Sequence, residues 1–322
     1  MPSVRQRVNF IAAKFEPRIA TALQAAFSNI KSQWTLKQIE ELLTTGGVST
    51  VLALLNTMND QIASDIVPEL NAAVSESGRI SIGLLPNGAL VAPYAFNVLD
   101  PSVSSVVSAH NASLVREIGA STRQAIVQNI RANIIAGNNP RRVARDFRDT
   151  LGLTAQQEQA VRNYRKMLIQ KDKRALQARL RDKRFDSTVR QSVAGKKKLT
   201  SAQIDNMANR YRQRFLKYRS EVIARTEALR AISMGEFESL KQADDAGKID
   251  KEVRRFWIYT KDERTRAEHR RIPSMNLGGV RIQEPFKTSL GLLMYPRDPA
   301  GSASNTIQCR CLLIYDYPEK EI

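Results

Sequence analysis

The chain has 322 residues, 42% hydrophobic and 25% charged, with 50 Lys+Arg against 32 Asp+Glu and two cysteines. That length suits two or three domains, and that balance excludes wholesale disorder. No apolar run reaches the roughly 18 residues of a membrane span, residues 1–7 lack the apolar core of a secretion signal, and two cysteines cannot build a disulfide framework.

Charge is unevenly placed. Residues 1–110 hold 7 Lys+Arg against 8 Asp+Glu, residues 111–225 hold 27 against 9, and residues 226–322 hold 16 against 15. A positive excess confined to the middle third is the electrostatic footprint of a protein that meets a polyanion, either nucleic acid or an acidic partner surface.

In chain order, Val4, Val8, Ile11, Phe15, Ile19, Leu23, Phe27 and Ile30 form one apolar stripe at helical spacing, with a kink or break expected at Pro17. Thr35 and Gln38 form a capping box that opens a short helix ending at Gly46-Gly47. The pattern continues over 48–77, with Pro68 expected to divide it. In a near-neutral segment such stripes read as helices that pack on one another. Residues 79–101 change texture and predict a small hairpin or an ordered loop, and so a boundary. Helix resumes after Asp100-Pro101, with Leu114, Ile118, Ile126, Ile130 and Ile134 on one face, and Asn139-Pro140 caps the next helix.

Thr154 and Gln157 form a second capping box, and a helix of about ten turns is expected to follow. Between 155 and 198 there are 14 basic and 4 acidic residues. A merely solvated helix face would mix signs in i,i+4 pairs, so this imbalance favours contact with nucleic acid or an acidic surface. The residues nominated for it are Arg162, Arg165, Lys166, Lys171, Lys173, Arg174, Arg179, Arg181, Lys183, Arg184, Lys196, Lys197 and Lys198. Thr200 and Gln203 cap a further helix with a seam of Ile204, Ala208, Tyr211, Phe215, Tyr218 and Val222. Its aromatics lie among arginines and could stack bases, but their place on the seam favours core packing.

The C-terminal part gathers uncommon residue types. Arg225-Thr226-Glu227 sits on the long helix, Trp257 on a strand, and Asp262, Arg264 and His269 in a run read as a short helix from 262 to 272. Pro296, Asp298 and Pro299 mark a turn, and Cys309-Arg310-Cys311 falls in a final strand over 307–315. A helix from Asp262 would put that residue within reach of Arg266. The two sulfurs on one strand face would stand at a Cα spacing at or beyond the usual limit for a bridge, so reduced thiols are expected. Cys309, Cys311, His269 and Asp262 make a conceivable tetrahedral set, but a lone Cys-x-Cys is not a zinc signature. No metal or other cofactor is assigned. The plainer expectation is that the thiols pack inward while Arg310 pairs with Glu227 or Asp262.

In their order these motifs resemble the phage head morphogenesis (minor capsid) family typified by protein F of phage Mu. The likeness extends over about residues 95–315 and departs where residues 270–274 intervene between His269 and Gly278-Gly279. It implies a minor head protein of a tailed phage, inside the capsid at the portal vertex and in the host cytoplasm during assembly. Its implied partners are the portal protein and/or major capsid protein, with packaged double-stranded DNA a further contact. Several copies per virion are expected, with no membrane contact. Arg225, Glu227, Asp262 and His269 are types able to support acid–base chemistry. With no phosphate-binding glycine loop and no nucleophile motif, an enzyme is not expected; a head-carried ADP-ribosyltransferase, nuclease or toxin-like module is the alternative, and a structural connector on an acidic capsid or portal surface is another. The predicted architecture is mainly α, with an N-terminal helical assembly region (1–90), a region of long basic helices (91–225) and a small C-terminal α+β domain (226–322).

Overall fold

The computed structural model describes residues 3–317 and is mainly α-helical. The elements run α1 (Val4–Ser32), α2 (Leu36–Thr45), α3 (Gly47–Ala53), α4 (Met58–Ser81), α5 (Pro101–Ile135), α6 (Pro140–Thr150), α7 (Ala155–Ile169), α8 (Asp186–Val193), α9 (Ser201–Asp245), β1 (Arg254–Ile258), α10 (Ala267–Met275), β2 (Phe286–Thr288), β3 (Gly291–Leu293), α11 (Ala303–Thr306) and β4 (Leu312–Asp316). They fold as two compact units that interleave along the sequence, one from residues 3–21, 66–111 and 221–317, the other from 22–65 and 112–220. No helix among the described residues is long and apolar enough to cross a membrane.

In the first unit the apolar stripe predicted for α1 is buried from Val8 to Ile19, as are Ile66, Leu70, Ala73 and Val74 of α4. Pro17 and Pro68 break neither helix. Pro17 and Pro68 are both exposed, so each ring faces outward, where water can serve the carbonyl that loses its donor. A Cβ on Gly235 of α9 would lie 2.4 Å from the Val74 carbonyl oxygen, so the glycine is what lets α9 approach the α4 backbone. Ser77 Oγ then donates to the Ile232 carbonyl at 2.8 Å. Of the small hairpin or ordered loop expected over 79–101, the structure has the loop: α4 runs through Ser81, and the loop after it bridges Leu90 to Ile249. β1 pairs antiparallel with β4, placing Trp257 opposite Leu313, and β2 pairs with β3.

In the second unit all three predicted capping boxes form. Ile126 and Ile130 of α5 are fully buried, whereas Ile134, predicted on the same face, is 55% exposed in the last turn. Val161, Tyr164 and Leu168 pack with Ile204, Ala208 and Tyr211, and Tyr211 meets both Tyr164 and Phe215 ring to ring, so the seam is core through Tyr211, with Phe215, Tyr218 and Val222 half-buried beyond it. The long helix over 155–198 does not exist. α7 stops at Ile169, and Lys171 takes a left-handed φ of 55°. Asp172 and Asp182 each accept the backbone N–H of the residue two positions on, which turns the chain into 3-10 pieces before α8.

Candidate functional site

The motif residues of the C-terminal part come together in the first unit, mostly as a hydrogen-bonded knot. Glu227 Oε2 lies 2.9 Å from His110 Nε2, and Oε1 accepts from Arg230, whose Nε donates to the Arg297 carbonyl at 2.9 Å. Thr226 Oγ1 accepts the Gln308 N–H, and Arg225 stays exposed beside the half-buried Glu16. Arg310 pairs bidentately with Asp262 at 2.5 and 2.6 Å, the plainer of the two arrangements expected. Its guanidinium holds the Asp262 carboxyl well below the usual carboxylate range. Asp262 reaches neither Arg266 through a helix nor the thiols. Residues 262–265 form a turn in which Asp262 accepts the Arg264 N–H, and α10 begins five residues later than predicted, at Ala267. Arg264 itself is exposed, 3.9 Å from the same carboxylate.

Around the turn, Pro296 is buried, and Asp298 accepts the N–H groups of Met294 at 2.7 Å and Ala300 at 2.9 Å. Arg297 between them has a φ of 71° and is 1% exposed. Its guanidinium donates to the carbonyls of Leu229, Cys309 and Cys311 and to Ser233 Oγ. Arg255 of β1 is likewise fully buried, donating to the carbonyls of Arg281, Met294 and Glu284 between the rings of Phe237 and Phe286. Burial lowers its pKa to about 10. Neither arginine was singled out from sequence; an arginine in an alternating strand run and another in a Pro-Arg-Asp-Pro turn look solvated until the fold closes over them.

The final strand starts at Leu312, later than expected, because the chain before it is held by Arg297 rather than by a neighbouring strand. That extended lead-in aims both sulfurs at one imidazole. His269 Nδ1 lies 3.6 Å from Cys309 Sγ and 3.3 Å from Cys311 Sγ, while Nε2 faces Asn305 Oδ1. Each of the three residues is 2% exposed, and Trp257 closes the site edge-on to the His269 ring. The Cys309 thiol is held well below its ordinary pKa by its hydrogen bond to Cys311 and, against burial, by His269 and Arg297, while Cys311 is pushed up by the same shared proton and by burial.

Residues 194–314, from the end of α8 into β4, match the family model described as phage Mu protein F like protein. That segment, the Mu F-like domain, is similar to protein F of phage Mu. The match starts well after residue 95, so it covers α9 and the knot but not the helices before them. It supports a head morphogenesis protein of a phage, with the virion as its place. Searches of curated proteins and of solved structures gave no match.

The nominated cations lie largely outside the Mu F-like domain, in the second unit. Four of them are neutralised within the chain: Arg165 by Asp205, Arg174 by Asp172, Arg181 by Asp186 and Arg184 by Asp182. Arg162 is bound to Gln159, and Arg179 sits 5.3 Å over the Tyr218 ring. Lys166, Lys171, Lys173, Lys183, Lys196, Lys197 and Lys198 are exposed and have no carboxylate within ion-pair distance among the described residues. The long basic helix expected from sequence is therefore replaced by exposed lysines at the end of α7 and in the short segments after it. A cleft of about 250 Å³ gathers Arg162, Arg165 and Lys166 with Arg142, Arg145 and Arg212, alongside Asp146 and Asp205. Arg142 and Arg145 were not nominated; their place beside 162–166 depends on how α6 meets α7.

Proposed function

We propose that this chain is a minor head protein of a tailed phage, carried inside the capsid near the portal, which touches packaged DNA without regard to sequence. The reading rests on two separate supports, the Mu F-like domain and the seven exposed lysines between 166 and 198. Packed DNA presents a dense phosphate surface, and exposed ammonium groups displace its counterions whatever the base sequence. The paired arginines contribute less, since each must first leave a carboxylate. The Mu F-like domain, held rigid by its buried knot, docks on portal or major capsid protein, and the role is binding rather than turnover.

The test is binding of the full-length chain to unrelated DNA duplexes over a range of salt. Affinity should fall steeply with salt and be indifferent to sequence. Reversing Lys171, Lys173, Lys183 and Lys197 to Glu should weaken binding at least about tenfold and flatten the salt slope by about one for each phosphate that is no longer neutralised. Unchanged DNA binding in that variant would take the contact away from these lysines, and no DNA binding in the wild type while purified portal protein binds tightly would replace genome contact with a connector on an acidic protein surface. Turnover of NAD, or of DNA with Mg²⁺, would replace both with an enzyme.

A further inference from the structure

We infer that His269, Cys309 and Cys311 form a binding site for a transition-metal ion, with zinc the ion its donors suit. The three ligand atoms, one nitrogen and two sulfurs, lie within 4.8 Å of one another. Bond lengths of about 2.3 Å to sulfur and about 2.0–2.1 Å to nitrogen around a tetrahedral centre give sulfur–nitrogen edges on the order of 3.5 Å. The observed edges are 3.6 and 3.3 Å. No large rearrangement is needed to admit the ion.

What surrounds the donors sets them for this task. Asn305 Oδ1 faces His269 Nε2, which fixes the proton there and leaves the Nδ1 lone pair directed at the sulfurs. Arg297 Nη1 donates to the Cys309 carbonyl at 3.0 Å and the Cys311 carbonyl at 2.9 Å, so the residues on either side of Arg310 are held in the conformation that puts both sulfurs on one side. The Cys311 N–H points at Cys309 Sγ at 3.5 Å, a donor suited to a metal-bound thiolate. Two thiols packed merely as small apolar groups would need none of this. Thiolate and imidazole donors select zinc over magnesium or calcium. Both sulfurs bind as thiolates, so binding releases whatever protons the pair still holds, and the two thiolates balance the charge of the ion. No further Asp, Glu, His or Cys joins the cluster among the described residues, so the fourth position falls to water or to a group from outside this set.

The inference stands independently of DNA contact. Full-length protein produced with zinc in the medium and exchanged into metal-free reducing buffer should retain about one zinc per chain by elemental analysis. Cys309→Ser and Cys311→Ser should bring this to background, and Asn305→Ala, which removes an orienting group, should weaken affinity about 10- to 100-fold. Because the serine variants could fail to fold, wild type carries the second arm. Stripped protein should take up cobalt(II) with a sulfur-to-cobalt charge-transfer band and tetrahedral visible bands that zinc bleaches. Its Tm should fall on stripping and return with zinc. Background zinc in wild type together with no charge-transfer band after reduction would overturn the site.

Discussion

Replacing Glu236 by Gln gives the sharpest test of the packing around α9. The carboxyl is 5% exposed, and burial raises its pKa from 4.5 to about 7, against the pull of Arg297 and Arg7. A shift of about 2.5 pH units at about 1.36 kcal/mol per unit corresponds to about 3 kcal/mol of differential stability. The sign follows from proton binding: the folded chain holds this proton more tightly than the unfolded one, so stability falls as pH rises from 4.5 to about 7 and the full penalty applies above that. Glutamine has the shape of the neutral acid and carries no such penalty. Thermal unfolding of wild type and Glu236→Gln should therefore give nearly equal Tm values at pH 4.5 and a variant that is several degrees more stable at pH 8. A gain that is the same at both values, or absent at pH 8, would refute a buried carboxylate at this position.

Gly235→Ala should destabilise the first unit by about 2–3 kcal/mol in denaturant unfolding, because the added methyl meets backbone rather than a side chain able to move. In the second unit, Glu158 is fully buried and bound to Arg212 at 2.8 Å, with Asn129 on the same oxygen. Glu158→Ala should cost about 3 kcal/mol by removing the closer carboxylate of buried Arg212, which is left with Asp146 at 3.6 Å, whereas Glu158→Leu with Arg212→Met should cost less, a contrast that a double-mutant cycle reads directly.

Helix starts were the most legible part of the chain. Thr35, Thr154 and Thr200, each with Gln three residues on, needed nothing beyond local hydrogen bonding, and all three caps form. The missed break after Ile169 also had a local signal, since Asp172-Lys173-Arg174 recurs as Asp182-Lys183-Arg184. In both, the aspartate accepts the backbone N–H and the guanidinium of the same arginine two residues on, a turn that competes with helix. The abundance of basic residues outweighed that signal in the charge pattern, and it hid the fact that several of them were neutralised by the turns themselves. The motif of the C-terminal part was readable as a set, but its partners were not. His110 for Glu227, Asn305 for His269 and the buried Arg255 and Arg297 all depend on long-range closure that no spacing rule reports.

The close approach at Gly235 bears on how such a protein could be rearranged by recombination. The part of the Mu F-like domain in the first unit leans on α4 through Gly235 and Ser77, and on α5 through His110. A cassette cut at residue 194 would arrive in a new gene without those two supports, with the apolar flank of α9 bare and Glu227 stripped of one partner. Exchange between phages would therefore preserve this fold when it carries residues 66–111 along, or when the recipient already supplies helices of matching contour.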